Sequence, residues 1–447
     1  MASEKNFADR RTAMVPPWLF SGLFGAFLGL ALLKFGNPPI MEKFIEPPTN
    51  LTEWIIMSWP VRVGYWLLGV VTVAGLFAGR WPTNVPKWVL ALPLAWLTWQ
   101  FVSATHTVDA DLTRATLKHF VACVVCFYLG VFFLSRDKSV CALWGAIVFA
   151  LGIVLAIGLD QHFGGLADTR KYFFTYVYPQ LLTVPPEYLK KISSDRIFAT
   201  LFYPNALAGV ILLLLPPAMV MIWRCCGRLT TAARGLLVGL FAAAALACLY
   251  WSGSKGGWLL ALLLALVALL HLPWSKRAKA IFVSAVLVMG VAGFFLKYAG
   301  FFQRGATSVS ARFDYWRAAV QTMAAKPVFG TGPGTFSIAY EAIKRPESEM
   351  SRLTHNDYLQ QASDSGVVAA LAYLAIAASV LIWGYAKPAT PDGVARFSAW
   401  LGLLGYALQG LMEFGLYIPA LAWTAFGLGG WLIGNGTKRF DNRFACA

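Results

Sequence analysis

The chain reads as an all-α, polytopic membrane protein of about twelve transmembrane helices, with a large extracytoplasmic loop carrying short amphipathic helices. Three observations predict this. Hydrophobic residues make up 58% of the 447 positions and charged residues 13%, against about a quarter charged in a soluble domain. The apolar residues fall in uninterrupted runs near the roughly 20 residues that a helix needs to cross lipid. The runs lack the alternation of a barrel strand, and backbone in lipid must satisfy its own hydrogen bonds, so each run is a helix.

In chain order the expected spans are 15–34, 61–79, 88–103, 119–135, 139–159, 198–223, 235–251, 256–274, 280–296, 366–386, 397–412 and 416–434. The first run lacks a small-residue cleavage site and reads as a retained span. No internal repeat or soluble domain interrupts the series, so residues 1–447 form one integral membrane domain.

The net charge of +16 does not indicate nucleic acid, because the basic residues sit in short clusters between apolar runs, as the positive-inside rule produces. With the N-terminus inside, one set of connections receives Lys5, Arg10, Arg11, Arg80, Lys87, Arg136, Lys138, Arg224, Arg228, Arg234, Lys276, Arg277, Lys279, Lys387, Arg396, Lys438, Arg439 and Arg443. The acids there are Glu4, Asp9, Asp137, Asp392 and Asp441. On the opposite side the two signs nearly balance. Both termini are therefore expected in the cytoplasm, with an even number of spans.

Two extracytoplasmic connections are then long, 160–197 and 298–365, and long loops beside otherwise short ones are usually functional. In the second, Ala311–Ala325 places Phe313, Trp316, Val320 and Met323 on one stripe and Arg312, Asp314 and Gln321 elsewhere, as an interfacial helix would. Phe336–Lys344 is a further short helix, and between them Gly330, Gly332 and Gly334 make a tight turn. The cysteines Cys123, Cys126, Cys141, Cys225, Cys226, Cys248 and Cys446 read as small helix-packing residues.

The polar residues of these outer connections are the candidate chemistry. Thr354 is expected to cap a helix with Asp357 as its third residue, which sets His355 in the first turn, where free amides suit a neutral base beside an anion. Its plainer reading is an interfacial histidine. Arg312 opens the amphipathic helix and could instead be a lipid-phosphate anchor, as could Arg304 and Arg317. Arg196 stands before the sixth span, either as an anchor paired with Asp195 or facing the polar interior that Asn205 suggests. Lys255 lies in the short turn Ser252–Gly257, as a turn lysine or as a cation held close to a ligand. Cations at three separate places with His355 suit an anionic lipid head, phosphate or diphosphate. Gly330-x-Gly332 lacks the strand of a dinucleotide fingerprint, and Asp109-Ala110-Asp111 is too small a set for a metal.

The turn Pro327-Val328-Phe329-Gly330-Thr331-Gly332-Pro333-Gly334-Thr335-Phe336, followed by His355-Asn356-Asp357-Tyr358-Leu359-Gln360 and Gly366, resembles the O-antigen ligase and polymerase family. So do Arg196 with Asn205 and the run ending at Trp316; the likeness covers about 196–416. It implies a GT-C-like membrane glycosyltransferase without metal or other cofactor, whose donor is an undecaprenyl-diphosphate-linked glycan. The acceptor would be a hydroxyl of a lipid A core in a ligase, or of another lipid-linked repeat in a polymerase; a protein hydroxyl is the third alternative. Carried over by position, Arg196 and Arg312 hold the diphosphate and His355 is the essential histidine, supported by Asn205, Asn356 and Tyr358. Many members have arginine where Lys255 stands, which removes a bidentate phosphate contact. The rival of another class is a small-anion transporter, which would place charges at mid-membrane depth on several helices.

Overall fold

The computed structural model describes residues 15–45, 47–78, 85–137, 140–180, 193–201, 203–303, 307–346 and 348–436. No strand occurs among them. The helices that build the bundle are α1 (Pro17–Lys34), α2 (Val61–Phe77), α3 (Lys87–Ala104), α4 (Ala110–Phe132), α5 (Cys141–Asp160), α6 (Pro204–Cys225), α7 (Thr231–Trp251), α8 (Lys255–His271), α9 (Lys276–Gln303), α10 (Thr307–Ala325), α11 (Phe336–Ile343), α12 (Asp357–Gly384), α13 (Pro391–Gln409) and α14 (Pro419–Gly436). Each expected span falls on one of them. Seven helices among the described residues are long and apolar enough to cross a membrane, and α2 and α8 are shorter apolar helices. Both chain termini, Arg304 and Cys446 lie outside the described residues.

The core is built around α14, where Leu421, Ala422, Trp423, Leu428 and Leu432 are all buried. Small residues set how closely its neighbours approach: a Cβ on Gly430 would stand 1.9 Å from the Phe127 carbonyl oxygen of α4. Lipid tails are as apolar as the side chains, so close packing of this kind holds such helices together. Helix α1 packs on α5, α13 on α6 and α12 on α3, while α7 and α9 lie at the margin with few buried residues and α8 is half-buried against α6 and α13.

Helix α12 begins nine residues before the span expected at 366, because its first half is polar yet buried. Gln360, Gln361, Ser363, Asp364 and Ser365 are each inaccessible, and each finds a partner. The Gln361 Oε1 accepts from Trp96 Nε1 at 2.8 Å and Gln100 Nε2 at 2.7 Å, and Ser365 Oγ donates to Gln100 Oε1 at 2.6 Å. Hydropathy reads such a segment as loop; a helix that satisfies its polar groups against α3 is the alternative. The glycine turn docks on the same half-helix. Gly334 N donates to Asp364 Oδ2 at 2.9 Å, Gly332 N to the Asp364 carbonyl at 2.7 Å, and α12 kinks at Gly366, where φ is +81°.

Helices α10 and α11 occupy the expected positions, α10 starting four residues earlier. The expected stripe of α10 is divided: Phe313 and Val320 are exposed, whereas Trp316 packs beside the buried face formed by Tyr315, Ala318, Ala319 and Thr322 and donates to the His355 carbonyl. The connection expected at 160–197 opens in helical turns as far as Gln180, and residues 181–192 lie outside the described residues. The cysteine expectation is corrected at one pair. Cys141, opening α5, is disulfide-bonded to Cys225, closing α6, with Cα atoms 5.8 Å apart, because α1 and α14 draw those two helix ends together. Cys123, Cys126 and Cys248 are buried packing thiols.

A Cβ at position 366 would stand 1.9 Å from the Val328 carbonyl oxygen, at a φ that L side chains avoid. Gly366→Val is therefore expected to cost about 4 kcal/mol or more, read as loss of monodisperse protein after detergent extraction. Gly145→Val, with nothing within 4 Å of its Cβ, should extract normally.

Candidate active site

The chain from Thr354 to Asp357 does not begin the helix as expected. Asn356, not Thr354, is the cap, its Oδ1 accepting from Tyr358 N and Leu359 N at 3.0 Å each. Thr354 Oγ1 instead donates to the Asn356 carbonyl at 2.7 Å. His355 precedes the cap in left-handed backbone, φ +53°, a conformation that a non-glycine residue holds only when its surroundings impose it. The imposed result is that its ring turns back towards the bundle. It lies between Tyr315, Tyr203 and Phe414, with ring centroids 5.8, 5.8 and 4.8 Å away.

The imidazole Nδ1 stands 3.1 Å from Glu413 Oε2. Its Nε2 has no partner among the described residues. Glu413 lies in the turn between α13 and α14, 7% exposed, and its other oxygen accepts from the Arg312 guanidinium and from Asn205 Nδ2. Asn205 in turn accepts from Arg196 at 2.7 Å, and Arg196 Nε donates to the Ser252 carbonyl at 2.8 Å. A buried carboxylate is tolerated only when donors and counter-charges meet it, and here those donors come from α10, α6 and the segment before α12.

Arg196 thus faces inward. Asp195, a possible partner in the sequence reading, pairs with Arg170 at 2.7 Å instead. Tyr203 accepts from Asn205 Nδ2 at 3.1 Å. Burial, with the Glu413 charge beside it, pushes its phenol above the ordinary range, so it stays a neutral hydroxyl.

Lys255 reaches the same place by a separate route. Its turn lies on Arg196, whose Nε a Cβ on Gly253 would meet at 3.1 Å, and Gly256 packs on Met412, next to Glu413. The ammonium is 5.2 Å from the Tyr298 ring centroid and within electrostatic reach of Arg196 and Arg312. Lys297 joins it, within reach of Arg196 and Lys255.

Arg196, Asn205, Lys255, Arg312 and His355 are therefore brought together, from four stretches of chain. Asn356 and Tyr358 are not. Asn356 Nδ2 donates to the Leu411 carbonyl at 2.9 Å and Tyr358 OH to the Ala407 carbonyl at 2.9 Å, so both brace α13 and its following turn. Asp109 proves to be the cap of α4, and Arg317 is exposed.

Two members of the cluster were missed. Glu413 had a signal: it is the sole Asp or Glu between Asp392 and Asp441, set between two apolar runs. Lys297, at the end of an apolar run, is indistinguishable in sequence from an anchoring lysine.

Residues 240–374 match the family model for O-antigen ligase. Over that stretch the chain is similar to the O-antigen ligase family, in keeping with the resemblance carried by its glycine turn and histidine run. The matched ligase region is shorter than the stretch of resemblance at 196–416. It holds Lys255, Arg312 and His355, while Arg196, Asn205 and Glu413 come to it by packing alone. No curated protein matches the chain. Members of the superfamily are glycosyltransferase or ligase-type enzymes acting on lipid-linked glycans.

The bracing roles are measurable. Asn356→Ala removes a helix cap, about 1 kcal/mol, and Tyr358→Phe removes one hydrogen bond, also about 1 kcal/mol. Each should lower the helical melting midpoint in detergent by a few degrees. A melt of Asn356→Ala identical to that of the unaltered chain would remove its bracing role.

Proposed function

We propose that this O-antigen ligase-like chain transfers a glycan from an undecaprenyl-diphosphate donor to an acceptor hydroxyl, with the Glu413 cluster as its active centre. The observation that carries the reading is the pairing of His355 Nδ1 with a buried carboxylate, beside two guanidinium groups and two ammonium groups. A base oriented by a carboxylate, next to cations, is what displacement of a diphosphate requires.

Glu413 holds the imidazole in the tautomer that bears its proton on Nδ1. Nε2 then accepts the proton of the acceptor hydroxyl as its oxygen bonds to the anomeric carbon. The bond from that carbon to the diphosphate oxygen breaks, and the lipid diphosphate leaves with the electron pair. Arg196 and Arg312 each keep N–H donors beyond those used in the cluster. Together with Lys255 and Lys297 they neutralise the charge that gathers on the leaving group, the part that a divalent cation takes in many sugar transferases.

The charge bias of the connections supports twelve crossings, both termini in the cytoplasm and the cluster on the outer face of the inner membrane. One observation opposes this orientation. The Cys141–Cys225 bridge lies at the end then assigned to the cytoplasm, where thiols are kept reduced. Cys226, a free and half-buried thiol next to the bridge, reports the side: in intact cells an impermeant maleimide should leave it unlabelled while a permeant one modifies it, and labelling by the impermeant reagent overturns the orientation.

For the reaction, purified protein incubated with a lipid-diphosphate glycan and candidate acceptors should release lipid diphosphate. His355→Ala should lower that release at least about 100-fold, and Glu413→Gln by a factor between about 100 and 10,000, with a chelator leaving the rate unchanged. Full transfer by a normally inserted His355→Ala chain would sink the assignment.

A further inference from the structure

We propose that a cavity at the same end of the bundle, near the Glu413 cluster, binds the anionic saccharide head of the acceptor. The proposal rests on the glycan-transfer reading, which requires two substrates to meet at His355.

The cavity has a volume of about 450 Å³ and is walled by the end of α1, the loop after it and the starts of α2 and α4. That volume lies in the range of small-ligand pockets and suits one or two sugar rings. Among the described residues three cations line it, Lys34, Arg62 and Lys118, with one carboxylate, Glu42. The carboxylate is engaged, its Oε1 accepting from Val61 N at 2.9 Å. Lys34 is engaged too, donating to the Ile55 carbonyl and, at 3.1 Å, to the Met57 carbonyl. Arg62 and Lys118 form no ion pair among the described residues. Two cations without counter-charges on one concave wall call for an anion.

The other lining groups indicate what carries the anion. Trp59 and Phe35 meet edge to face, with centroids 6.3 Å apart, and the Trp59 indole N–H is spent on the Trp54 carbonyl. A fixed aromatic wall beside cations offers an apolar surface to the C–H face of a sugar while charge is met alongside. A bare phosphate would leave that wall unused.

Position supplies the link to chemistry. The Phe35 carbonyl accepts from Ala420 N at 3.1 Å, and a Cβ on Gly36 would meet the Thr200 carbonyl oxygen at 2.6 Å. Lys118 is followed by His119, whose Nε2 lies 2.7 Å from the Leu416 carbonyl. Residues of the cavity wall or next to it therefore pack on two segments that lead into the cluster, the one that runs on to Tyr203 and Asn205 and the one that follows Glu413. A saccharide head seated there would lie next to the segments that carry the cluster, with the donor diphosphate assigned to the side of Lys255 and Lys297.

The test is calorimetric titration of the purified full chain in neutral detergent with lactose 1-phosphate, cellobiouronic acid, lactose and glycerol 1-phosphate. Either anionic disaccharide should bind at least tenfold more tightly than lactose and than glycerol 1-phosphate, and the tighter of the two identifies the anion. The double variant Arg62→Gln, Lys118→Gln should lose at least tenfold in that affinity with an unchanged helical melt, and Ser58→Trp, which fills the cavity, should lose it as well. His355→Ala should bind as the unaltered chain does. Unchanged affinity in both cavity variants, loss in His355→Ala alone, or equal binding of glycerol 1-phosphate overturns the proposal. Binding as expected in a protein that releases no lipid diphosphate overturns the transfer reading and leaves the cavity assigned; transfer without such binding overturns the cavity alone.

Discussion

A single buried carboxylate organises the end of the bundle that holds the candidate site. Glu413 is 7% exposed, and an isolated charge so placed would cost several kcal/mol. It is tolerated because Arg312, Asn205 and His355 meet both of its oxygens. Those partners belong to elements far apart in the chain, so the bundle has to bring them to one point. The same requirement that makes the carboxylate stable gathers the cations and the imidazole around it into one candidate site.

The support of that site is traceable bond by bond. The turn bearing Glu413 is gripped by the start of α12, through Asn356 to the Leu411 carbonyl, Asp357 N to the Gly410 carbonyl at 2.7 Å and Leu416 N to Asp357 Oδ2 at 3.0 Å. His119 holds it from α4, and Gln409 ties α13 to the Asn205 carbonyl at 2.9 Å. The run His355-Asn356-Asp357 therefore divides its labour. Its first residue faces the site, and the next two lock the opposite turn at the height where the carboxylate meets the ring.

The glycine turn plays a supporting part in the same chain of contacts. Its amides are spent on α12: Asp364 receives Gly334 N, Gln360 donates to Asp364 at 2.9 Å, and the Gln360 oxygen accepts Thr354 N at 2.7 Å. The glycines are needed because backbone packs on backbone there, at φ values of +66°, +108° and +80° for Gly330, Gly332 and Gly334. What the turn contributes is the register of α12 and, through Thr354, the strained backbone of His355. Burying this polar array inside an apolar bundle is possible because each group is paired.

The sequence by itself determined the helical membrane fold, the places of its long apolar helices and the identity of most of the cluster. Run length and charge bias are one-dimensional properties, and lipid reads them directly. Arg196, Asn205, Lys255, Arg312 and His355 were legible as polar residues stranded beside apolar runs, and the family resemblance concentrated attention on them. Tertiary structure decided how they are joined. Glu413 could be noticed in sequence but not assigned, since its role exists only where α6, α10 and α12 converge. The early start of α12 and the bridge between Cys141 and Cys225 were equally hidden. Each depends on which buried groups find a partner across the bundle, and partnership between distant residues leaves no mark on local composition.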